Sequence, residues 1–597
     1  MRASLRSLGR VGDVLAQVLL CVLLMIAGFL VVLSATTTVW LLESTDGQLT
    51  QNMGIFTVAS PSSWLLLLGG IAGLVCVFGL LRLVWCGSSL LDGRAAVAVV
   101  LVVALGLQVL WVCLVRTGFC DWGDVWMVSA FAKRAASDGL ASLDTGVWRD
   151  ILHDPRLYFG CYPFQCGLFY YYLWAFQTFG EAWHLVMQLL NIVANEVSAL
   201  ALIGLGRVLV SDVRARRLLL ALVALCLPLW WLCAFVYGNA IGMAFGLVFL
   251  LMQALALKAR GTRRIAWASA SVAPLCVCLV FKSTFVLFGI GALICWVVAA
   301  VREHGLGAVG GLACSIAVLL VADAVSGLPA AAFTADTGID TSNGMTTLNH
   351  LELGLRDDMH EFTTTYDDGV ATVSPGGWSS HANDVWEATG GDADAQDATA
   401  SECLSDDAAR LTSSPSYFAW FFWSKLASLW SEPTYQSLYY SSMCEHPEGG
   451  RFNPVDTSAP LGVLCEGSTF VLDGWQLLVY AGALVCLLGM WRGLRSARAV
   501  ERQEGEPAAG LARDGAGPRA ALAALPSEQL LLPSCFFTGF GCYLLWEAKS
   551  VYAFPFVLVL LPLAAMGLAS VMGRLDGRDR SAGWVSWVRG HLSRRAS

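Results

Sequence analysis

Charged residues are scarce in this sequence. Only 14% of its 597 residues are Asp, Glu, Lys or Arg, against about 25% in a soluble globular chain. So little charge cannot clothe the surface of a water-soluble protein of this length, and most of the chain is expected to lie in lipid. No G-x-x-x-x-G-K-[ST] phosphate loop and no soluble nucleotide-binding region is found, which argues against an ATP-driven pump. No convincing internal repeat is seen, and repeats are what a secondary transporter usually carries. Basic residues are almost missing from 329–415, where sixteen acids face only Arg356 and Arg410.

Long apolar runs are what the chain has instead. A spanning helix needs ~20 apolar residues, and twelve runs qualify: 15–42, 64–84, 95–115, 184–206, 217–236, 240–257, 266–282, 284–301, 308–328, 468–491, 529–546 and 553–573. This predicts an all-α polytopic membrane protein of about twelve transmembrane helices. The 23 Trp and 14 Tyr suit membrane interfaces. The basic start MRASLRSLGRVGD precedes an apolar run longer than a signal-peptide core, so it reads as a first spanning helix with a cytoplasmic N-terminus.

Placing both termini in the cytoplasm puts 26 of the 37 Lys and Arg in the cytoplasmic segments, as the positive-inside rule requires. The same rule keeps RVLVSDVRARR inside, which makes the short aromatic stretch 163–178 interfacial or re-entrant. A second such stretch is 416–430. Two large outer loops result, 116–183 and 329–467, with short outer turns near 237–240, 282–284 and 547–552. The expected divisions are a two-helix segment 1–94, a core 95–328, an acidic outer subdomain 329–467, helices over 468–573 and a basic tail 574–597. The stretch 492–528 reads as a flexible cytoplasmic linker.

Candidate chemistry collects on the outer side. In CDWGDVWMVSAFAKRA, Asp121 and Asp124 share a helix face, and the apolar spacing that follows suits a helix along the membrane surface. A carboxylate there suits a general base, or simply a helix N-terminus favoured by its dipole. Tyr237 and Asn239 in FVYGNAIGM stand at an outer helix end. Asn239 is placed either to contact a sugar hydroxyl or to cap the next helix. Lys282 in LVFKSTF either snorkels or neutralises a lipid phosphate. Glu547, Lys549 and Tyr552 cluster in WEAKSVY; they anchor the helices or meet an anionic lipid donor.

His350, His360 and His381 with Asp357, Asp358 and Asp384 fit no zinc spacing, and a solvated acidic loop is the preferred reading. Trp378 in PGGWSS is expected to present an aromatic ring on a tight turn, as sugar-binding surfaces do. The outward Cys120, Cys161, Cys166, Cys403, Cys444 and Cys465 would be consistent with disulfides in an oxidising exterior.

The order of these stretches is itself informative: CDWGDVWMVSAFA, LYFGCYPFQCGLFYYYLWAFQTFG, VMQLLNIVANEVSAL, PLWWLCAFVYGNAIG, FKSTF, NHLELGL with PGGWSSHAND, then WEAKSVYAFPFVLVLLPLAAMGL. Over about 95–573 the chain resembles the GT-C superfamily of integral-membrane glycosyltransferases, in particular bacterial relatives of protein O-mannosyltransferases. The resemblance implies a sugar taken from a polyprenyl-phosphate donor and passed to a glycan, lipid or protein of the cell envelope, at the extracytoplasmic face of the cytoplasmic membrane. It implies inverting attack, with Asp121 as base and Asp124 as the fallback. Lys282, Lys549 and Tyr552 would hold the donor phosphate, while Tyr237, Asn239, His350, Trp378 and Glu547 would line the substrate site. No cofactor is required, although the acids would accommodate a divalent cation, and no nucleic-acid partner is expected.

Four positions depart from the family pattern. Asn239 stands where many relatives have an acid. Val551 stands where many have Arg. The NHLELGL stretch lacks the usual aromatic after its His and the Met before its Gly. The competing reading is a transporter or flippase for a lipid-linked envelope precursor; a third is a membrane scaffold with an acidic partner-binding domain.

Overall fold

A computed structural model describes residues 2–43, 49–58, 61–115, 123–144, 151, 153–303, 305–357, 365–367, 370–372, 375–442, 452–504 and 525–577. The chain is an all-α polytopic membrane protein, with two short hairpins among the described residues. Its helices are α1 Arg2–Thr36, α2 Pro61–Cys86, α3 Arg94–Val115, α4 Gly123–Asp138, α5 Pro155–Cys161, α6 Cys166–Phe179, α7 Trp183–Leu209, α8 Val213–Ala224, α9 Leu227–Trp231, α10 Asn239–Lys258, α11 Thr262–Ala270, α12 Val272–Phe281 and α13 Val286–Glu303. There follow α14 Leu306–Ser326, α15 Leu328–Thr337, α16 Thr347–Leu355, α17 His381–Ala388, α18 Ala393–Ser413, α19 Pro415–Trp430, α20 Ser437–Ser442, α21 Pro460–Glu504, α22 Leu531–Leu545, α23 Ser550–Leu558 and α24 Leu561–Leu575.

Among the described residues, nine helical stretches are long and apolar enough to cross a bilayer, and two bent pairs raise the count to as many as eleven. The one expected span not among them, 529–546, is a helix of only 15 residues. At 1.5 Å per residue that is about 22 Å, short of a ~30 Å hydrocarbon core. Prolines explain the bent pairs. Pro228 begins α9 after a 48° break from α8, and Pro562 begins α24 after a 57° break from α23. α6, over the stretch expected to be interfacial, has 14 residues and turns into α7 through Gly180, whose φ is +55°.

Two further expectations change. The first span stops at Thr36, and Thr37–Glu43 (β1) pairs antiparallel with Leu49–Ile55 (β2), Val39 opposite Met53. The run TTTVW is β-branched and aromatic, so it favours a strand over a further helical turn. The supposed linker after 492 is helical as far as Glu504, because α21 is 45 residues long; residues 505–524 lie outside the described set. A second hairpin joins Thr365–Asp367 to Val370–Thr372.

α2 and α3 leave apolar side chains such as Leu83, Val75 and Val102 open, as lipid-facing helices do. Polar side chains face inward and join helices. Gln253 of α10 donates to Ser271 at 2.7 Å and accepts from Trp296 of α13 at 2.7 Å, and Asn195 of α7 donates to Gln108 of α3 at 3.0 Å.

One end of the bundle is laced by ion pairs between distant segments. Arg82 meets Asp576, and Arg217 meets Asp92. Arg302 lies 2.8 Å from Asp13, and Arg264 lies 2.8 Å from Glu303. All these residues belong to segments that the arginine count assigns to one side of the membrane.

Candidate active site

The other ends of α10 and α13 carry a different chemistry. Four segments meet there: the start of α4, the loop 235–238 before α10, the turn between α12 and α13, and the turn between α22 and α23.

Asp124 lies in the first turn of α4, just after Gly123, whose φ is +66°. Its carboxylate accepts a hydrogen bond from the Tyr158 hydroxyl at 2.8 Å and another from the Tyr237 hydroxyl at 3.2 Å. Both phenols are buried. Burial and then the nearby Asp124 charge push each well above the ordinary phenol range. They therefore stay protonated and donate.

Loop 235–238 is held from several sides. Asn191 of α7 donates to the Phe235 carbonyl at 2.8 Å, Tyr172 donates to the Val236 carbonyl, and Gln165 donates to the Tyr237 hydroxyl at 2.6 Å. Gly238 is required by contact: a Cβ there would sit 2.2 Å from the Phe281 carbonyl oxygen. That close approach brings Tyr237 beside the next residue, Lys282.

Lys282 ends α12 in extended backbone. Its Nζ lies 4.7 Å from the centroid of the Tyr237 ring and 4.7 Å from that of Tyr552. Among the described residues it has no ion pair, so two aromatic faces hold the ammonium. Burial lowers its pKa to about 8, while Asp124 and Glu547 act in the opposite sense. Lys549 lies 2.8 Å from Glu547, and its Nζ is 5.7 Å from the Tyr552 centroid. Burial alone would lower Lys549, but Glu547, through its charge and its hydrogen bond, together with Tyr440 and Asp124 outweighs it, and the ammonium is raised above the usual lysine range. Two cations thus flank one ring, one easily deprotonated and one firmly charged.

The acidic subdomain closes on this turn. The Ala548 amide donates to the Gly376 carbonyl at 2.8 Å, and the Gly376 amide donates to the Arg356 carbonyl at 2.7 Å. Gly376 has φ +69°, and a Cβ there would meet the Gly354 carbonyl at 2.3 Å. His350 of α16 stacks on Trp546, centroids 5.3 Å apart. Burial lowers the His350 pKa while Glu547 pulls it upward. From below, Ser550 donates at 2.7 Å to the buried Glu432, which also receives the backbone amides of Thr434 and Gln436.

Asp124, Tyr237, Lys282, His350, Glu547, Lys549 and Tyr552 therefore belong to one connected neighbourhood. Asp121, His360 and Asp358 lie outside the described residues. Asn239 is not a cap: it is the first residue of α10, after Gly238 in the capping position, and no side-chain capping bond forms. Its Oδ1 is buried without a hydrogen-bond partner among the described residues. Trp378 is half-buried two residues after Gly376, and among the described residues no hydrogen bond or ring contact joins it to the cluster.

Among the described residues, the histidines and aspartates weighed as a metal group, His350, His381, Asp357 and Asp384, do not come together. His350 turns to Trp546, His381 turns to Glu352 and Cys403, and Asp357 accepts from Tyr417 at 2.5 Å. Nor are the outward cysteines paired where described: Cys161, Cys166, Cys403 and Cys465 are free thiols, three of them buried, while Cys120 and Cys444 lie outside the described residues.

Three participants escape a reading of the sequence. Tyr158 and Gln165 sit in the aromatic stretch that looks like an interface anchor. Glu432 sits in SEPTYQS, where Tyr435 and Gln436 both take positive φ, 48° and 57°. Non-glycine residues in that conformation are uncommon, and only the backbone reveals them.

The fold and site define a polytopic helical membrane protein with carboxylates, lysines and phenols gathered at one end of its helices. No family model matches the chain, and no curated protein matches it. Among solved structures, the archaeal oligosaccharyltransferase AglB from Archaeoglobus fulgidus, in complex with an inhibitory peptide and a dolichol-phosphate, is similar to it at 16% identity with a TM-score of 0.35. The match covers 80% of this chain and 50% of that one, so the chain spans about half the length of the structure it matches.

Proposed function

We propose that this protein is a GT-C-type membrane glycosyltransferase that moves a sugar from a polyprenyl-phosphate donor to a glycan, lipid or protein of the cell envelope. The acceptor hydroxyl gives its proton to Asp124. Its oxygen bonds to the anomeric carbon as the bond from that carbon to the phosphate oxygen breaks, with inversion. The polyprenyl phosphate leaves with the electron pair and one more negative charge, which Lys282 and Lys549 hold.

One observation carries this reading: Tyr237 joins a carboxylate to a cation, its hydroxyl on Asp124 and its ring on Lys282. An acceptor to be deprotonated and a phosphate to be neutralised need those two groups within one site. The second cation, Lys549, gives the leaving phosphate a partner that keeps its charge. Asp121, which the resemblance favours as base, is three residues earlier and is tested in parallel.

The experiment is transfer of radiolabelled sugar from polyprenyl-phosphate donors into membrane material, with wild type, Asp124→Asn and Asp121→Asn at equal expression. Asp124→Asn is expected to lose on the order of 100-fold or more, as loss of a general base does. Retained transfer in Asp124→Asn with loss in Asp121→Asn moves the base to Asp121. No transfer by wild type from any donor sugar tested would overturn the glycosyltransferase reading.

A further inference from the structure

The acidic subdomain holds a second cluster, away from the phenols and lysines. Glu352 of α16, His381 at the start of α17 and Cys403 in α18 offer an oxygen, a nitrogen and a sulfur that all lie within 4.8 Å of one another. His381 Nε2 is 3.8 Å from Cys403 Sγ and 3.8 Å from Glu352 Oε1. A tetrahedral zinc ion, with bonds of about 2.0–2.3 Å to such donors, sets their mutual separations at about 3.5 Å. Two of the three separations are therefore close to those between corners of one coordination tetrahedron, and the third lies within 4.8 Å.

The second observation concerns Glu352 itself. It is 1% exposed, and Arg356 holds only its Oε1, at 2.9 Å. Its Oε2 is buried with no hydrogen-bond partner among the described residues. A buried carboxylate oxygen left in that state is costly; His381 faces Oε1, so a cation beside His381 and Cys403 would reach Oε2 through bidentate binding or a turn of the carboxylate. Arg356 does not compete for that oxygen. It serves as the outer partner that metal-ligating carboxylates ordinarily have. The mixture of imidazole, carboxylate and thiolate selects zinc over calcium or magnesium, which prefer oxygen donors alone.

We propose that Glu352, His381 and Cys403 bind a zinc ion that pins α16, α17 and α18 together. The Cys403 thiol gives up its proton on binding. Because α16 also carries His350, stacked on Trp546, and Gly354, packed against the Leu545 carbonyl, the ion fixes the helix that rests on the 546–549 turn.

The test uses the full-length protein purified in detergent with a tag that contains no histidine. Elemental analysis is expected to find about one zinc per chain, falling at least severalfold in Cys403→Ser and His381→Ala. Cobalt exchanged into wild type should give a thiolate-to-metal charge-transfer band that Cys403→Ser lacks. Added zinc should raise the Tm of wild type and leave that of Cys403→Ser unmoved, which separates metal loss from misfolding. Wild type that holds no zinc after incubation with zinc chloride and desalting would overturn the site. Full zinc occupancy in Cys403→Ser, or cobalt-bound wild type with no thiolate band, would overturn the ligand assignment. None of these readouts depends on sugar transfer.

Discussion

The Lys282 ammonium lies 4.7 Å from the centroid of the Tyr237 ring. That ring directs its hydroxyl to Asp124, so the orientation of one side chain sets both the anionic and the cationic half of the site.

Removing only the hydroxyl separates the two roles. Tyr237→Phe keeps the ring face for Lys282 and loses the bonds to Asp124 and Gln165. A hydrogen bond to a charged group is worth about 1.5–3 kcal/mol, so kcat/KM for sugar transfer is expected to fall on the order of 10- to 100-fold. Tyr237→Leu also strips the cation of an aromatic face and should fall further. Equal rates for the two variants would show that the ring does nothing for the lysine.

Lys282 gives the site a pH dependence of known sign. A lysine is cationic below its pKa, and burial brings this one from 10.5 to about 8. In the folded protein its charge is lost as pH rises through about 8. Between about 8 and 10.5 the unfolded chain binds more protons than the folded one, so this group's cost to stability is relieved as pH rises across that window. Transfer should therefore decline on the alkaline side of pH 8, and Lys282→Arg, which stays charged there, should flatten the decline. A wild-type profile that stays level to pH 10 would contradict the role given to this cation.

The pair Lys549–Glu547 should matter to stability as well as to transfer. Both side chains are largely covered, with exposures of 21% and 14%. Glu547→Gln leaves a covered ammonium without its counter-charge, and a loss of about 1–3 kcal/mol is expected. The double variant Glu547→Gln, Lys549→Met should lose less than the two single variants summed. Thermal unfolding in detergent reads all three, and strict additivity would mean the pair is not coupled.

Two glycines are predicted to be intolerant of a methyl group and one tolerant. Gly238→Ala drives a Cβ to 2.2 Å from a backbone oxygen, and Gly376→Ala meets one at 2.3 Å with φ at +69°. Each should cost about 1–3 kcal/mol and impair transfer, since each close approach seats a loop of the site. Gly489→Ala meets nothing within 4 Å and should be neutral or slightly stabilising, by about 0.5–1 kcal/mol. Measured Tm values in the order Gly489→Ala above the other two would bear this out; three equal values would not.

Much of this arrangement is legible in the sequence because sidedness is a matter of counting. The arginine distribution groups Arg82, Asp92, Arg217, Arg302 and Asp576 in segments on one side, and they are found paired at one end of the bundle. Tyr237, Lys282, Lys549 and Tyr552 fall in turns assigned to the other side, and their side chains meet.

What the sequence conceals are features without a composition signal. TTTVW merges with the apolar run before it, so hydropathy carries the span past Thr36 and hides a hairpin. The prolines at 228 and 562 look like residues within spans and prove to mark bends. Tyr158 is one aromatic among many, and only its 2.8 Å bond to Asp124 singles it out. Glu352, His381 and Cys403 are 29 and 22 residues apart in order of sequence, which no spacing rule links, and three helices fold them together.

Contacts between segments far apart in the sequence also constrain the order of assembly. Thr38 bonds to Asp473 across 435 residues, and Arg82 meets Asp576 across 494. While the chain emerges, Asp13, Arg82 and Asp92 stay hydrated, without their ion-pair partners, until later segments are made. Lys549 and Tyr552 arrive almost as late. The early spans are therefore a provisional scaffold until α23 and the turn before it bring in Lys549 and Tyr552. A nascent chain halted before α23 would hold Asp124 and Lys282 in a bundle that has neither its closing helix nor its second cation.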